Sequence, residues 1–205
     1  MVEALISQGL LHTPKVVEAF RKVERHLFIP QNLHAEAYAD HPLPIGCGQN
    51  ISAPHMVAIM TELLEVEEHS NVLEVGCGSG YQAAILSEIC GKGGVVSVEY
   101  VPQLAERAGE KLRNLGYSNV KVVWGDGTLG YPEKAPYDRI IVTAAAPKIP
   151  KPLVKQLSEG GRMLIPVGGR QIQTLVEVSR IDGKILEKNH MDCVFVPLVG
   201  EEGWK

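Results

Sequence analysis

The sequence predicts an α/β fold, a doubly wound and mostly parallel sheet with an N-terminal helical extension and a C-terminal antiparallel β-hairpin. Three observations carry that prediction. Short apolar runs alternate with helical patterns from residue 54 onward, NVLEVG, VVSVEY, VKVVWG and DRIIVTAA among them, and strands that alternate with helices pair in parallel under helices on both faces. Glycines cluster where the first run gives way to a helix, in LEVGCGSGY at residues 73–81, the crevice position of an open α/β sheet. Towards the C-terminus, TLVEVSRIDGKILEKNHMDCVFVPL holds two β-rich runs around Asp182-Gly183, which read as a hairpin followed by another strand.

The elements follow in order. Residues 1 to 30 predict two amphipathic helices, with Thr13-Pro14 as N-cap and first-turn proline of the second and Val16, Val17, Phe20 and Val23 on its apolar face. In HPLPIGCGQNISAP, residues 41–54, periodicity stops among prolines, glycines and small polar residues, and a functional loop is expected. Helices are expected over 54–65, 80–90 and 102–115, between the apolar runs. PKPLVKQLSEGG then reads as a helix closed by glycine, and RMLIPVG as the next strand. One domain over 1–205 is expected, divided into N-terminal helices and loop (1–56), a ligand-binding half (57–150) and a C-terminal half (151–205).

Composition narrows the function. Lys and Arg number 20 against 24 Asp and Glu, a formal charge of −4 with no basic run at either end, so no nucleic-acid partner is expected. Cys47, Cys77, Cys90 and Cys193 are scattered without metal-ligand spacing and read as reduced thiols in a cytoplasmic protein without a metal. The first 28 residues lack the apolar stretch of a signal peptide, and no span is long enough to cross a membrane as a helix.

The glycine loop indicates the ligand. Gly76, Gly78 and Gly80 let backbone N–H groups approach a ligand closely, but Tyr81 stands where a dinucleotide fingerprint needs its third glycine. Glu74 places negative charge beside the loop, which repels phosphate and suits an ammonium or sulfonium group. S-adenosylmethionine has both. Glu99 ends the next strand, 23 residues past Gly76, where a carboxylate can accept both ribose hydroxyls. Asp126 ends the strand after that and is expected to reach the adenine amino group, while Gly127 lets the backbone come close. The bland alternative is a tight turn flanked by solvated acids.

GDGTLGYPEKAPYDRI at 125–140, together with GQNISAPHM and LEVGCGSGY, resembles the signature motifs of the protein-L-isoaspartate O-methyltransferase family. The resemblance runs from about the second helix to FVPL. It implies a Rossmann-like fold of the class I S-adenosylmethionine-dependent methyltransferase type. It also implies methyl transfer to the α-carboxyl of L-isoaspartyl residues, and often to D-aspartyl, in damaged proteins, which starts repair through a succinimide. Peptides and proteins bearing isoaspartyl residues are the implied partners, and a monomer is expected.

A free α-carboxylate is already ionised at neutral pH, so the reaction needs alignment and desolvation and no general base. With the family motif, Ser52 is expected to orient the acceptor carboxylate, with Ile51, Thr143 and Ala144 beside it. On loop composition alone Ser52 reads first as the cap of the helix near Pro54, and His55 as a solvated first-turn histidine before a ligand or substrate contact. A small-molecule methyltransferase or a non-catalytic S-adenosylmethionine-binding module are the competing functions.

Overall fold

The computed structural model describes residues 1–205. The N-terminal extension consists of α1 (Val2–Ser7), α2 (Pro14–Lys22) and two 3-10 turns at Arg25–Phe28 and Gln31–Glu36. Pro14 does open α2, but Thr13 makes no side-chain cap; the backbone N–H groups of His12 and Thr13 donate instead to Glu62 Oε1 at 2.8 and 3.0 Å. Phe20 and Phe28 meet the Tyr81 ring edge-on at 6.5 and 5.5 Å, which fastens this extension to the main body.

The segment expected to be an irregular loop is a hairpin of β1 (Leu43–Gly46) and β2 (Gln49–Ile51), antiparallel with Leu43 opposite Ile51. Cys47 and Gly48 both take positive φ, 53° and 70°, the backbone of a two-residue hairpin turn. The two prolines hid it, yet Pro44 is exposed on a strand without further neighbours, where a missing N–H costs little.

Beyond α3 (Pro54–Leu64) the expected alternation appears: β3 (Asn71–Val75), α4 (Tyr81–Cys90), β4 (Gly94–Glu99), α5 (Pro102–Asn114), β5 (Val120–Trp124) and β6 (Tyr137–Val142). Next come α6 (Lys151–Gln156), β7 (Leu157–Gly168), β8 (Gln173–Ile181) and β9 (Lys184–Cys193). The seven-stranded sheet runs β5-β4-β3-β6-β7-β8-β9, parallel through β7, with β8 antiparallel to both of its neighbours. β3 pairs with β4 on one side and β6 on the other, so the chain reverses its direction of winding there and leaves a crevice at the C-terminal ends of these strands. Leu73 and Val75 of β3 enter one buried cluster while Val72 enters the other, as a sheet covered on both faces requires.

Two further expectations need correction. The helix read in PKPLVKQLSEGG stops at Gln156, and LSEGG begins β7. Leu157 pairs with Tyr137 and Arg162 with Arg139, so residues 158–161 bulge from the ladder, helped by Gly160 at φ 73°. The glycines release a β-bulge there and do not cap a helix. After β9 no further strand forms; residues 194–198 make only an isolated bridge between Pro197 and Ala145. The hairpin turn falls at Asp182-Gly183 as read, with φ of 53° and 72°. No helix is long and apolar enough to cross a membrane.

Candidate active site

The loop from β3 to α4 is held open by backbone geometry that only glycine adopts readily. Gly76, Gly78 and Gly80 have φ of 97°, 55° and 88°. A Cβ on Gly76 would lie 2.5 Å from Thr143 Oγ1, a hydroxyl that donates to the Gly76 carbonyl at 2.6 Å and to the Val75 carbonyl at 3.2 Å. Thr143 is the residue directly after β6, so β6 buttresses the turn that follows β3.

Glu99, at the end of β4, is nearly buried and accepts from Gly78 N at 2.8 Å and Val101 N at 2.9 Å. Its two oxygens thereby join the glycine loop to the start of α5. Glu74 is fully buried on the face of β3 shared with Val72; Ser97 of the adjoining β4 donates to its Oε2, while Oε1 has no partner in the protein. Burial pushes its carboxyl up to about 8, against the opposing Ser97 hydrogen bond, and neighbouring Glu99 adds to the rise. The negative charge expected at Glu74 is therefore largely neutralised by a proton at pH 7 unless a cation is close. Burial likewise holds the Cys77 thiol well above its ordinary value.

Three cavities meet beside this loop. The first, about 640 Å³, lies against Gly76, Gly78, Glu99, Gly127 and Ala144 and is walled opposite by Val196–Val199. The second, about 450 Å³, reaches inward past Ile51, Ser52, Glu74 and Tyr81. The third, about 1110 Å³, opens outward between Ser52, His55, Met56 and residues 191–196. Asn50 and Thr143 line all three. Asn50 lay inside the GQNISAPHM motif without being singled out, because a polar residue in a hairpin carries no periodic signal.

Ser52 faces both the inner and the outer cavity. It does not cap the following helix, whose N-cap is Ala53 without any side-chain cap. His55 lines the outer cavity and is not merely solvated: its backbone N–H donates to Asp40 Oδ1 at 2.9 Å, and its ring Nδ1 lies 2.9 Å from the same oxygen.

Asp126 does not line the first cavity, although Gly127 does. Its Oδ1 accepts from Thr128 N and Oγ1 at 2.9 and 2.6 Å, and its Oδ2 accepts from Glu201 N at 2.7 Å. The carboxylate thus ties the turn after β5 to the chain beyond Val199. Trp204 completes that tie by donating from Nε1 to the Ala145 carbonyl at 3.0 Å and from its backbone N to the Leu198 carbonyl at 2.8 Å. The family resemblance implies that Val199–Trp204 help cover the adenosyl pocket, but VGEEGWK gives no sign of these contacts, which bridge distant segments.

The family model described as Protein-L-isoaspartate(D-aspartate) O-methyltransferase (PCMT) matches residues 1–203. The chain belongs to this family. Protein-L-isoaspartate O-methyltransferase 2 of Archaeoglobus fulgidus is 57% identical over 202 residues, covering 98% of this chain and 92% of the relative. Among solved structures, a Plasmodium falciparum protein described as a protein-L-isoaspartate O-methyltransferase in complex with S-adenosyl-L-homocysteine superposes with a TM-score of 0.86. It is 28% identical, with 97% of this chain and 96% of that chain covered. A second protein-L-isoaspartate O-methyltransferase structure gives a TM-score of 0.89 at 30% identity, covering 98% of this chain and 65% of that chain. The Rossmann-like methyltransferase architecture expected from the sequence is the one observed.

Proposed function

We propose that this protein transfers the methyl group of S-adenosylmethionine to the α-carboxylate of L-isoaspartyl residues in damaged proteins and peptides, with D-aspartyl as a second acceptor. The observation that carries this reading is that the first cavity, beside the glycine loop and Glu99, meets the outer cavity at Asn50 and Thr143, with Ser52 between the inner and outer cavities. The residues fit the donor. Gly76 forms a cradle that a side chain would fill, and the buried, unpartnered Oε1 of Glu74 lies where a cation would be welcome.

When bound, S-adenosylmethionine supplies a methyl group on a positively charged sulfur, and its transfer to a carboxylate oxygen moves no proton. On this reading Gly76, Gly78 and Gly80 offer backbone to the donor and Glu99 receives the ribose hydroxyls. Gly127 admits the adenine, while Asp126 holds in place the chain beyond Val199 that covers it. Glu74 balances the donor's cationic end. Ser52 hydrogen-bonds the acceptor carboxylate, while Ile51, Thr143 and Ala144 keep water from it, which raises its reactivity.

The proposal extends to a single catalytic domain over 1–205, monomeric and cytoplasmic, that engages neither nucleic acid nor membrane. The net charge of −4 and four unbridged cysteines support it. The test uses methyl-labelled donor and two peptides identical except for L-isoaspartate or L-aspartate at one position. Base-labile label on the isoaspartyl peptide alone is expected; label on neither, with donor binding intact, would overturn the reading.

A further inference from the structure

Arg25 is fully buried, yet it pairs with no carboxylate. Its Nε donates to the Ala37 carbonyl and its Nη2 to the Ser52 carbonyl, both at 2.8 Å, and its Nη1 has no partner in the protein. The guanidinium lies over the Tyr81 ring at 5.2 Å, and the Tyr81 hydroxyl is also buried and unpartnered. Asp40, the acid whose charge it feels, is engaged with His55. A buried cation without an anion is costly to a fold, and two carbonyls and a ring face offset that only in part.

The position of this cation narrows its role. Ala37 and Ser52 bracket the segment that contains β1 and β2, so one side chain clips both of its ends. Ser52 and Tyr81 in turn line the inner cavity, which places the charge directly behind that wall. The hydrogen bonds go to the segment that carries Ser52 and not to the glycine loop, so they favour an effect on the acceptor over one on the donor.

We propose that Arg25 is a positioning residue for the acceptor carboxylate, fixing Ser52 through its carbonyl and holding a positive charge behind the hydroxyl that meets the substrate. This rests on the assignment of Ser52 given above. The charge favours binding of an anionic acceptor but also steadies the nucleophile before attack, so its main effect falls on KM and less on kcat.

The test compares wild type, Arg25→Gln, Arg25→Lys and Ser52→Ala in three measurements. These are donor Kd by calorimetry, KM and kcat for an isoaspartyl peptide, and Ki of the same peptide with the isoaspartyl α-carboxyl replaced by carboxamide. Arg25→Gln is expected to raise KM and to lower the preference for carboxylate over carboxamide, each about tenfold, with donor Kd within about twofold. Arg25→Lys, which keeps the charge but not the fork, is expected to retain most of the preference with an intermediate KM. Unchanged KM and preference in Arg25→Gln, or a parallel loss of donor affinity, would overturn the proposal. If Arg25→Gln does not fold, Arg25→Lys decides: a raised KM at wild-type donor Kd supports the clip, and a wild-type KM overturns it. Ser52→Ala separates the two assignments, since full turnover there removes the Ser52 reading whatever Arg25→Gln does, while a loss there beside an unaltered Arg25→Gln removes only this proposal.

Discussion

Thr143 Oγ1 donates a 2.6 Å hydrogen bond to the carbonyl of Gly76, and the same oxygen lies 2.5 Å from where a Cβ at position 76 would be. A single hydroxyl therefore both supports the loop and excludes any side chain from it. Gly76→Ala adds this clash to the strain of a φ of 97°. It is expected to weaken donor binding by about 100-fold or more, since two separate penalties of order 1–3 kcal/mol combine. Titration calorimetry with S-adenosylhomocysteine checks this, and near-native affinity would mean that the loop relaxes without harm.

Ser52→Ala removes one hydroxyl from the boundary of the inner and outer cavities. A lost hydrogen bond to a charged group corresponds to about 1.5–3 kcal/mol, so kcat/KM for an isoaspartyl peptide is expected to fall roughly 10- to 100-fold while donor Kd stays put. Full turnover in the variant would return Ser52 to an ordinary surface serine.

Glu74 makes stability depend on pH in a direction opposite to that of a salt-bridged carboxylate. Burial raises its carboxyl from an ordinary 4.5 to about 8, so between those values the folded protein keeps a proton that the unfolded chain has released. Stability from this group falls as pH rises through that window, by up to roughly 1 kcal/mol per pH unit. Glu74→Gln, neutral throughout, is expected to flatten the slope in thermal melts between pH 5 and 8, and parallel curves for the two proteins would refute the assignment. The cationic donor favours the ionised form, so binding near pH 7 is expected to expel a proton, measurable as a buffer-dependent heat.

Trp204 has its indole N–H on the Ala145 carbonyl and the Arg170 guanidinium 4.9 Å from its ring. Replacing it with alanine frees the segment that walls the first cavity. Donor Kd is expected to rise about tenfold, in keeping with the loss of a hydrogen bond and ring packing, with KM for the peptide little altered once donor is saturating. Unchanged donor affinity would show that Val196–Val199 hold their place unaided.

Most of the sheet could be read directly because strands such as Val72–Val75 and Val95–Val98 are buried on both faces, apolar but for Glu74 and Ser97, and are separated by helical periods. Glycine and proline were read less well, because each serves several geometries. Gly160 and Gly161 looked like a helix stop and form a bulge; Pro42 and Pro44 looked like loop and flank or occupy a strand. In the site, Glu99 and the three glycines were legible from their phase along successive strands. Asp126 was placed on the right strand end, but its carboxylate turns to Glu201, a contact 75 residues away along the chain. Arg25 gave no signal at all, since an arginine among alternating charges and apolar residues reads as a solvated helix face until burial is known.

The Asp126 to Glu201 contact also bears on how the protein comes to life on the ribosome. The glycine loop and the turn at 126 are made well before residues 196–204, and contacts of such long sequence separation form late in folding. Until they are in place the first cavity lacks the wall formed by Val196–Val199. The first cavity is thus enclosed only in the completed chain, because one of its walls comes from its last residues.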